Sequence, residues 1–238
     1  MKAYITGTDR GLGLGLTTVF LAGGHTVFAG FYGIDDTGLK ALKVRYGEKL
    51  HIIPLDISSD SSVMEAARLI NEQTDSLDVV INNAAILGEK DATIENDISF
   101  DNMLAVYNVN ALGPLRVSKS ILGLLKKGDG KRIINISSEA GSMTARILRK
   151  QNTRYGYCGS KSSLNVQSIL LQNHLEDTGI RVFLIEPGWV QTWLSGELFL
   201  GATYSPEESA AQLLKFVGSE TPPDYMFHDL FHNRRFEW

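Results

Sequence analysis

Cysteine is nearly missing from this chain. Cys158 stands alone among 238 residues, so no intramolecular disulfide can form, and a reducing, cytoplasmic setting is expected. Long apolar runs are missing too. No stretch approaches the roughly eighteen residues that a membrane-crossing helix needs. Met1-Lys2-Ala3-Tyr4-Ile5 leads straight into a strand, not into the apolar core of a signal peptide. A surplus of positive charge is absent: the formal net charge is −4, without the basic face that nucleic acid demands. Neither a membrane nor a nucleic acid is an expected partner. No Pro/Gly-rich linker, repeat or low-complexity segment divides the chain, so one domain over residues 1–238 is expected. What is present is 43% hydrophobic and 21% charged, enough for a sizeable core.

Short apolar runs alternate with longer helical stretches. Strands are predicted at Ala3–Thr6, Thr26–Phe31, Leu50–Leu55, Val79–Asn82, Arg132–Ser137 and Arg181–Glu186, with a weaker one near Tyr225–His228. Most are aliphatic nearly throughout, as in strands buried on both faces of a parallel sheet. Helical spacing covers Leu12–Ala22, Thr37–Tyr46, Ser61–Gln73, Phe100–Leu125, Tyr157–Asp177 and Pro206–Val217. Ser58 to Ser61 offer N-caps for the third of these, and Gly179 stops the fifth. The alternation predicts an α/β, Rossmann-like, doubly wound sheet of about seven mostly parallel strands with helices on both faces.

The first strand runs directly into Thr6-Gly7-Thr8-Asp9-Arg10-Gly11-Leu12-Gly13. Three glycines between a strand and a helix let main-chain N–H groups approach a pyrophosphate, and the helix adds its unpaired donors and positive dipole end. Alone, such a turn is also an ordinary βα connection. Its place in the first βα unit of a repeating βα chain favours a nucleotide.

The Gly-x-x-x-Gly-x-Gly spacing resembles the opening motif of the classical short-chain dehydrogenases/reductases, nearest in look to their carbonyl-reductase and C-factor-like branch. Further matches follow in the family's order: Asp56-Ile57, Asn82-Asn83-Ala84-Ala85, Asn110, Ile136-Ser137-Ser138, Tyr157-Cys-Gly-Ser-Lys161 and Pro187-Gly188-Trp-Val-Gln-Thr192. The resemblance spans nearly the whole chain.

Tyr157 and Lys161, four apart on a predicted helix, share one face. A nearby ammonium is expected to lower the phenol's pKa toward neutrality, which suits acid/base work beside a moving hydride. A Tyr and a Lys at this spacing are more often only a packed ring and a solvated amine, and Ser137-Ser138 at a strand end is often a capping pair. Their conjunction beyond the strands' carboxyl ends favours chemistry. The resemblance implies that Tyr157 is the acid/base and that Lys161 also holds the nicotinamide ribose. It implies that Ser138 stabilises the substrate oxygen and that the Asn110 backbone holds a water serving Lys161. Tyr155 lacks a lysine four residues on, since Gly159 stands there, and is set aside.

The same resemblance gives a nicotinamide cofactor to Gly7, Asp9, Arg10, Gly11, Leu12, Gly13, Asp56, Ile57, Asn83, Ala84, Ala85, Tyr157, Lys161, Pro187, Gly188, Val190 and Thr192. Asn82 to Ala84 are expected to line the adenosine side, with Asp56 on the adenine amine. Thr192 is alternatively a cap, were Trp193 to Leu200 helical. No acid stands at the end of the second strand, where NAD-dependent relatives carry one, and Arg10 suits a 2′-phosphate. NADP(H) is therefore favoured and NAD(H) stays possible, with Asp35 reaching the ribose if the second strand runs longer. No metal is called for.

Ser138 and Tyr157 stand further apart than is usual in the family. The extra residues, Met143–Arg154, read as a solvated loop, or as an anion-attracting lip through Arg146, Arg149 and Arg154. Trp189, Trp193, Leu198 and Phe199 suggest an apolar lid over a hydrophobic carbonyl or alcohol. The helices Phe100–Leu125 and Tyr157–Asp177 correspond to the family's dimer-forming pair, so a homodimer or homotetramer is implied. The rival reading is a non-catalytic NADP(H)-binding redox sensor; the intact Tyr157, Lys161, Ser138 and Asn110 set argues against it.

Overall fold

The computed structural model describes residues 1–238. Its elements, in chain order, are β1 (Lys2–Thr6), α1 (Gly11–Ala22), β2 (Thr26–Phe31), α2 (Thr37–Tyr46), β3 (Leu50–Pro54), α3 (Asp60–Asn71), β4 (Val79–Asn82), α4 (Phe100–Tyr107), α5 (Gly113–Ser120), α6 (Leu122–Lys127), β5 (Arg132–Ile136), α7 (Met143–Arg149), α8 (Tyr155–Leu175), β6 (Arg181–Glu186), α9 (Pro206–Gly218), β7 (Phe227–Asp229) and β8 (Arg234–Arg235).

The strands form one sheet in the order β3-β2-β1-β4-β5-β6-β7-β8. Every pairing is parallel except β7 with β8. Side chains alternate between two apolar layers, which is why these strands are apolar throughout. Ile5, Val27, Ala29, Ile81, Ile134 and Phe183 pack under α1 and α9, with Leu16, Phe20 and Leu213. Tyr4, Phe28, Ile53, Val80, Ile133 and Val182 pack under α3, α5, α6 and the end of α8, with Ile70, Val117, Leu124 and Leu175. β1 leads outward to β2 on one side, while β4 lies on its other side. A crevice therefore opens beyond the carboxyl ends of β1 and β4, where order reverses.

The structure corrects several sequence expectations. The edge hairpin strand β8 makes eight strands, not about seven; its two arginines carry no apolar signal. The expected continuous helix Phe100–Leu125 is broken by a π-turn at Asn108–Leu112 and again at Ile121. Met143–Arg154 is not a loop throughout: Ser142 Oγ accepts the Ala145 N–H (3.1 Å) and starts α7. Trp193–Leu200 forms turns and no helix, so Thr192 caps nothing. Ser59 is the N-cap of α3, its Oγ accepting the Ser62 N–H.

Candidate active site

The crevice is tightest at the turn after β1. Gly7 has φ 70°, and a Cβ there would lie 2.7 Å from the Ala84 Cα. A Cβ on Gly13 would lie 2.0 Å from the Gly7 carbonyl oxygen. Helix α1 starts from Arg10 with no side-chain cap, so no side chain takes up its first-turn N–H donors. Opposite, Asn83 Nδ2 donates to the carbonyls of Thr6 (2.9 Å) and Gly7 (3.2 Å). Thr6 Oγ1 accepts the N–H groups of Asn83 (3.0 Å) and Ala84 (3.1 Å). Leu12 is buried beneath the turn and Ala85 continues the wall.

Three expected site residues have other work. The buried Asp9 carboxylate accepts the N–H groups of Tyr32 (3.1 Å), Gly33 (2.9 Å) and Ile34 (2.8 Å), so it shapes the loop after β2. Asn82 is buried and its side chain donates to Ser118 Oγ (3.1 Å) and Asn135 Oδ1 (2.7 Å), tying the sheet to α5. Asp56 Oδ1 accepts the N–H (2.8 Å) and O–H (2.6 Å) of Ser58, bracing the entry to α3 beside the buried Ile57. β2 stops at Phe31, and Asp35 turns onto the Thr37 N–H (2.9 Å), so the longer strand that would have brought Asp35 to a ribose does not form.

The 3.6-residue period of α8 puts Tyr157, Lys161, Leu164, Asn165 and Ser168 on its buried face. Asn135 Nδ2 donates to Ser168 Oγ (2.8 Å) and Ser137 Oγ donates to Asn165 Oδ1 (2.6 Å). These polar rungs, absent from the sequence reading, fix the helix against β5 and thus Tyr157 against Ser138. Ser138 Oγ accepts the Ala140 N–H (3.1 Å), so the capping role holds, and the same hydroxyl draws the Tyr157 pKa downward. Lys161 Nζ donates to the Ile136 carbonyl (2.7 Å) and sits 5.8 Å from the Tyr157 ring centroid. Asn110 lies in the π-turn. Its Oδ1 accepts the Ile86 N–H (2.9 Å), while Nδ2 donates to the Ile86 carbonyl (2.8 Å) and to Ser160 Oγ (3.1 Å).

Burial governs the protonation of this cluster. It pushes the Tyr157 phenol up to about 12, against a downward pull from Ser138. The expected depression by the Lys161 ammonium is not what dominates, so the phenol is a firmly held proton. Burial brings Lys161 down to about 8. Glu186, missed in the sequence, closes β6 just before Pro187. Burial raises its carboxyl to about 7, with the Asp229 and Glu139 charges adding to the rise, although Oε2 accepts the Gly188 N–H (2.9 Å). An acid at the carboxyl end of a parallel strand was the available signal.

The third wall follows β6. Gly188 has φ 84°, and Val190 forms a bridge with Tyr204. The Thr192 carbonyl accepts the Phe199 N–H (3.1 Å), and the Trp193 carbonyl that of Gly196 (2.9 Å). Trp189 and Phe199 stand 5.5 Å apart, and both are exposed, as is Leu198. On the other rim, Arg146 and Arg149 both pair with Glu139 (2.6 and 2.5 Å).

A nucleotide-shaped turn and a Ser-Tyr-Lys cluster on a doubly wound sheet define a dinucleotide-dependent oxidoreductase class. The chain belongs to the short-chain dehydrogenase family, whose model matches residues 1–201. It is 32% identical to an uncharacterised oxidoreductase of Schizosaccharomyces pombe over 97% of this chain and 94% of that one. Its fold is similar to that of the NADPH-bound carbonyl reductase from chicken fatty liver, with TM-score 0.88 and 29% identity, covering 100% and 98% of the two chains. The Sniffer carbonyl reductase of D. melanogaster gives TM-score 0.88 and 26% identity, covering 100% and 99%.

Proposed function

We propose that this chain reduces a neutral, apolar aldehyde or ketone with NADPH, Tyr157 delivering the proton. One observation carries the reading. The Tyr157 phenol and the Lys161 ammonium are both buried one helical turn apart, Nζ 5.8 Å from the ring centroid, and Lys161 is tied to the Ile136 carbonyl two residues before Ser138.

The cradle fits a dinucleotide, because Gly7 and Gly13 leave no room for side chains and no side chain fills the start of α1. Gly7, Gly11, Leu12 and Gly13 would hold the pyrophosphate. Asp56, Ile57, Asn83, Ala84 and Ala85 would form the adenosine wall, with Asp9 acting through the loop it shapes. Lys161 and Tyr157 would meet the nicotinamide ribose, and Pro187, Gly188, Val190 and Thr192 the carboxamide side. Arg10 would take a 2′-phosphate, which the acid-free end of β2 does not repel. The chicken neighbour's bound NADPH supports that preference.

A nicotinamide cofactor held by these residues would supply the hydride for the carbonyl carbon. The carbonyl oxygen is held by the Ser138 hydroxyl, which stabilises the growing negative charge. The Tyr157 O–H gives its proton to that oxygen, completing the alcohol, and the phenolate is reprotonated through Lys161. Asn110 positions the Ile86 segment and the Ser160 end of α8 around this route. Trp189, Leu198 and Phe199 favour an apolar substrate. Glu139 offsets Arg146 and Arg149, which argues against an anionic one.

Deuterium labelling tests the hydride step. With NADPH deuterated at C4, the product alcohol is expected to carry deuterium on its carbinol carbon. Alcohol formed without that label would overturn the reading.

A further inference from the structure

The two sides of the phosphate groove approach each other at two neighbouring positions. A Cβ on Gly11 would come 3.4 Å from Thr192 Cγ2. The Arg10 guanidinium carbon lies over the Trp193 indole, 5.7 Å from its centroid. Arg10 leads into α1 from the first βα turn, and Trp193 opens the segment after β6. The contact therefore spans the groove between the two halves of the sheet.

Arg10 has no carboxylate to hold it. Asp35, whose carboxyl feels its charge, is bound to the Thr37 N–H instead. The aromatic face is the partner that fixes the guanidinium. A guanidinium over an aromatic ring is held by its charge and keeps N–H donors for a phosphate. Trp193 is also the hinge of the apolar segment: its own carbonyl and that of Thr192 hold the turns carrying Gly196 and Phe199.

We propose that Trp193 is a positioning residue for the cofactor. Its indole holds Arg10 across the groove with the guanidinium edge directed to a phosphate of the dinucleotide, so the Arg10–Trp193 pair clasps the cofactor and ties the Trp193–Leu200 segment to its presence. The proposal rests on the NADP(H) reading for its ligand, but it is tested by binding, without turnover.

Calorimetry with NADP+ and NAD+ on the full-length protein gives the first test. Trp193→Ala is expected to weaken NADP+ about five- to tenfold, between the exposed and desolvated limits of a cation–π contact, as suits two half-buried residues. Trp193→Phe, which keeps an aromatic face, should recover most of that. Loss with NADP+ alone assigns the clasp to the 2′-phosphate; loss with both assigns it to the pyrophosphate. In a double-mutant cycle, Arg10→Ala with Trp193→Ala should bind no worse than Arg10→Ala alone. Additive losses, or wild-type affinity in Trp193→Ala, would overturn the clasp. Hydrogen exchange supplies the second readout. NADP+ should protect residues 193–200 in wild type and fail to do so in Arg10→Ala; equal protection in both would contradict it. Absence of carbonyl turnover, with the binding results intact, would count against the proposed reaction and leave the clasp standing.

Discussion

Burial acts on two acids here in the same direction. It keeps the Tyr157 phenol protonated, and it keeps the Glu186 carboxyl from ionising until about pH 7. The sign of the second effect is testable. In the unfolded chain Glu186 loses its proton near pH 4.5, and in the folded chain only near 7. Below pH 4.5 both states are protonated and the group contributes nothing. As pH rises through that window the folded state is progressively penalised, fully so above 7. Glu186→Gln is therefore expected to raise Tm by several degrees at pH 8 and to leave it nearly unchanged at pH 4.5. A gain at pH 4.5 equal to that at pH 8 would refute the assignment. Arg10 gives a second test at this scale. Arg10→Ala should cut kcat/KM with NADPH by about tenfold or more, the worth of one charge-assisted phosphate contact, while NADH changes little. An unchanged cofactor ratio would remove Arg10 from the 2′-phosphate.

Among elements, the βα turn after β1 tolerates almost no side chain at Gly13. Gly13→Ala places a methyl 2.0 Å from the Gly7 carbonyl. Overpacking of that kind costs about 1–3 kcal/mol, so NADP+ affinity measured by calorimetry should fall by roughly 5- to 100-fold. Wild-type affinity would show that the turn is not a phosphate cradle. This turn was legible in the sequence because glycines between strand and helix have a direct backbone meaning. The strands were legible for a similar reason: a run such as Arg181–Glu186 packs apolar side chains into both layers. The breaks in the sequence reading have physical causes. The π-turn at Asn108–Leu112 depends on Asn110 bonding to Ile86, a contact between elements that no helical period encodes. Helix α7 takes its first-turn bonds from Ser142 and from the Trp238 carbonyl, which accepts the Thr144 N–H (2.8 Å) from the far end of the chain. Asp9 and Asn82 looked like cofactor ligands because their motif positions were right, yet their side-chain bonds go to the loop after β2 and to β5.

At the scale of the whole molecule, the helices α4, α5 and α8 leave large apolar side chains exposed: Phe100, Leu104, Leu115, Val166 and Leu170. Exposed apolar side chains gathered on neighbouring helices mark an association surface, and we propose that two copies of the chain meet on these helices. Leu104→Glu with Leu170→Glu should convert the protein to a monomer by light scattering while NADP+ binding persists; an unchanged mass would place the contact elsewhere. No helix is long and apolar enough to cross a membrane. The proposed reduction turns on one proton on one phenol, and removing that phenol's oxygen is its sharpest test. NADPH consumption is followed against a panel of neutral aldehydes and ketones for wild type and Tyr157→Phe, with NADP+ affinity measured in both. Wild type should turn over at least one compound, and the phenylalanine variant should lose about 10²- to 10⁴-fold or more in rate with its cofactor affinity nearly intact. Equal turnover by the two proteins, or cofactor binding with no turnover of any panel member by wild type, would contradict the account.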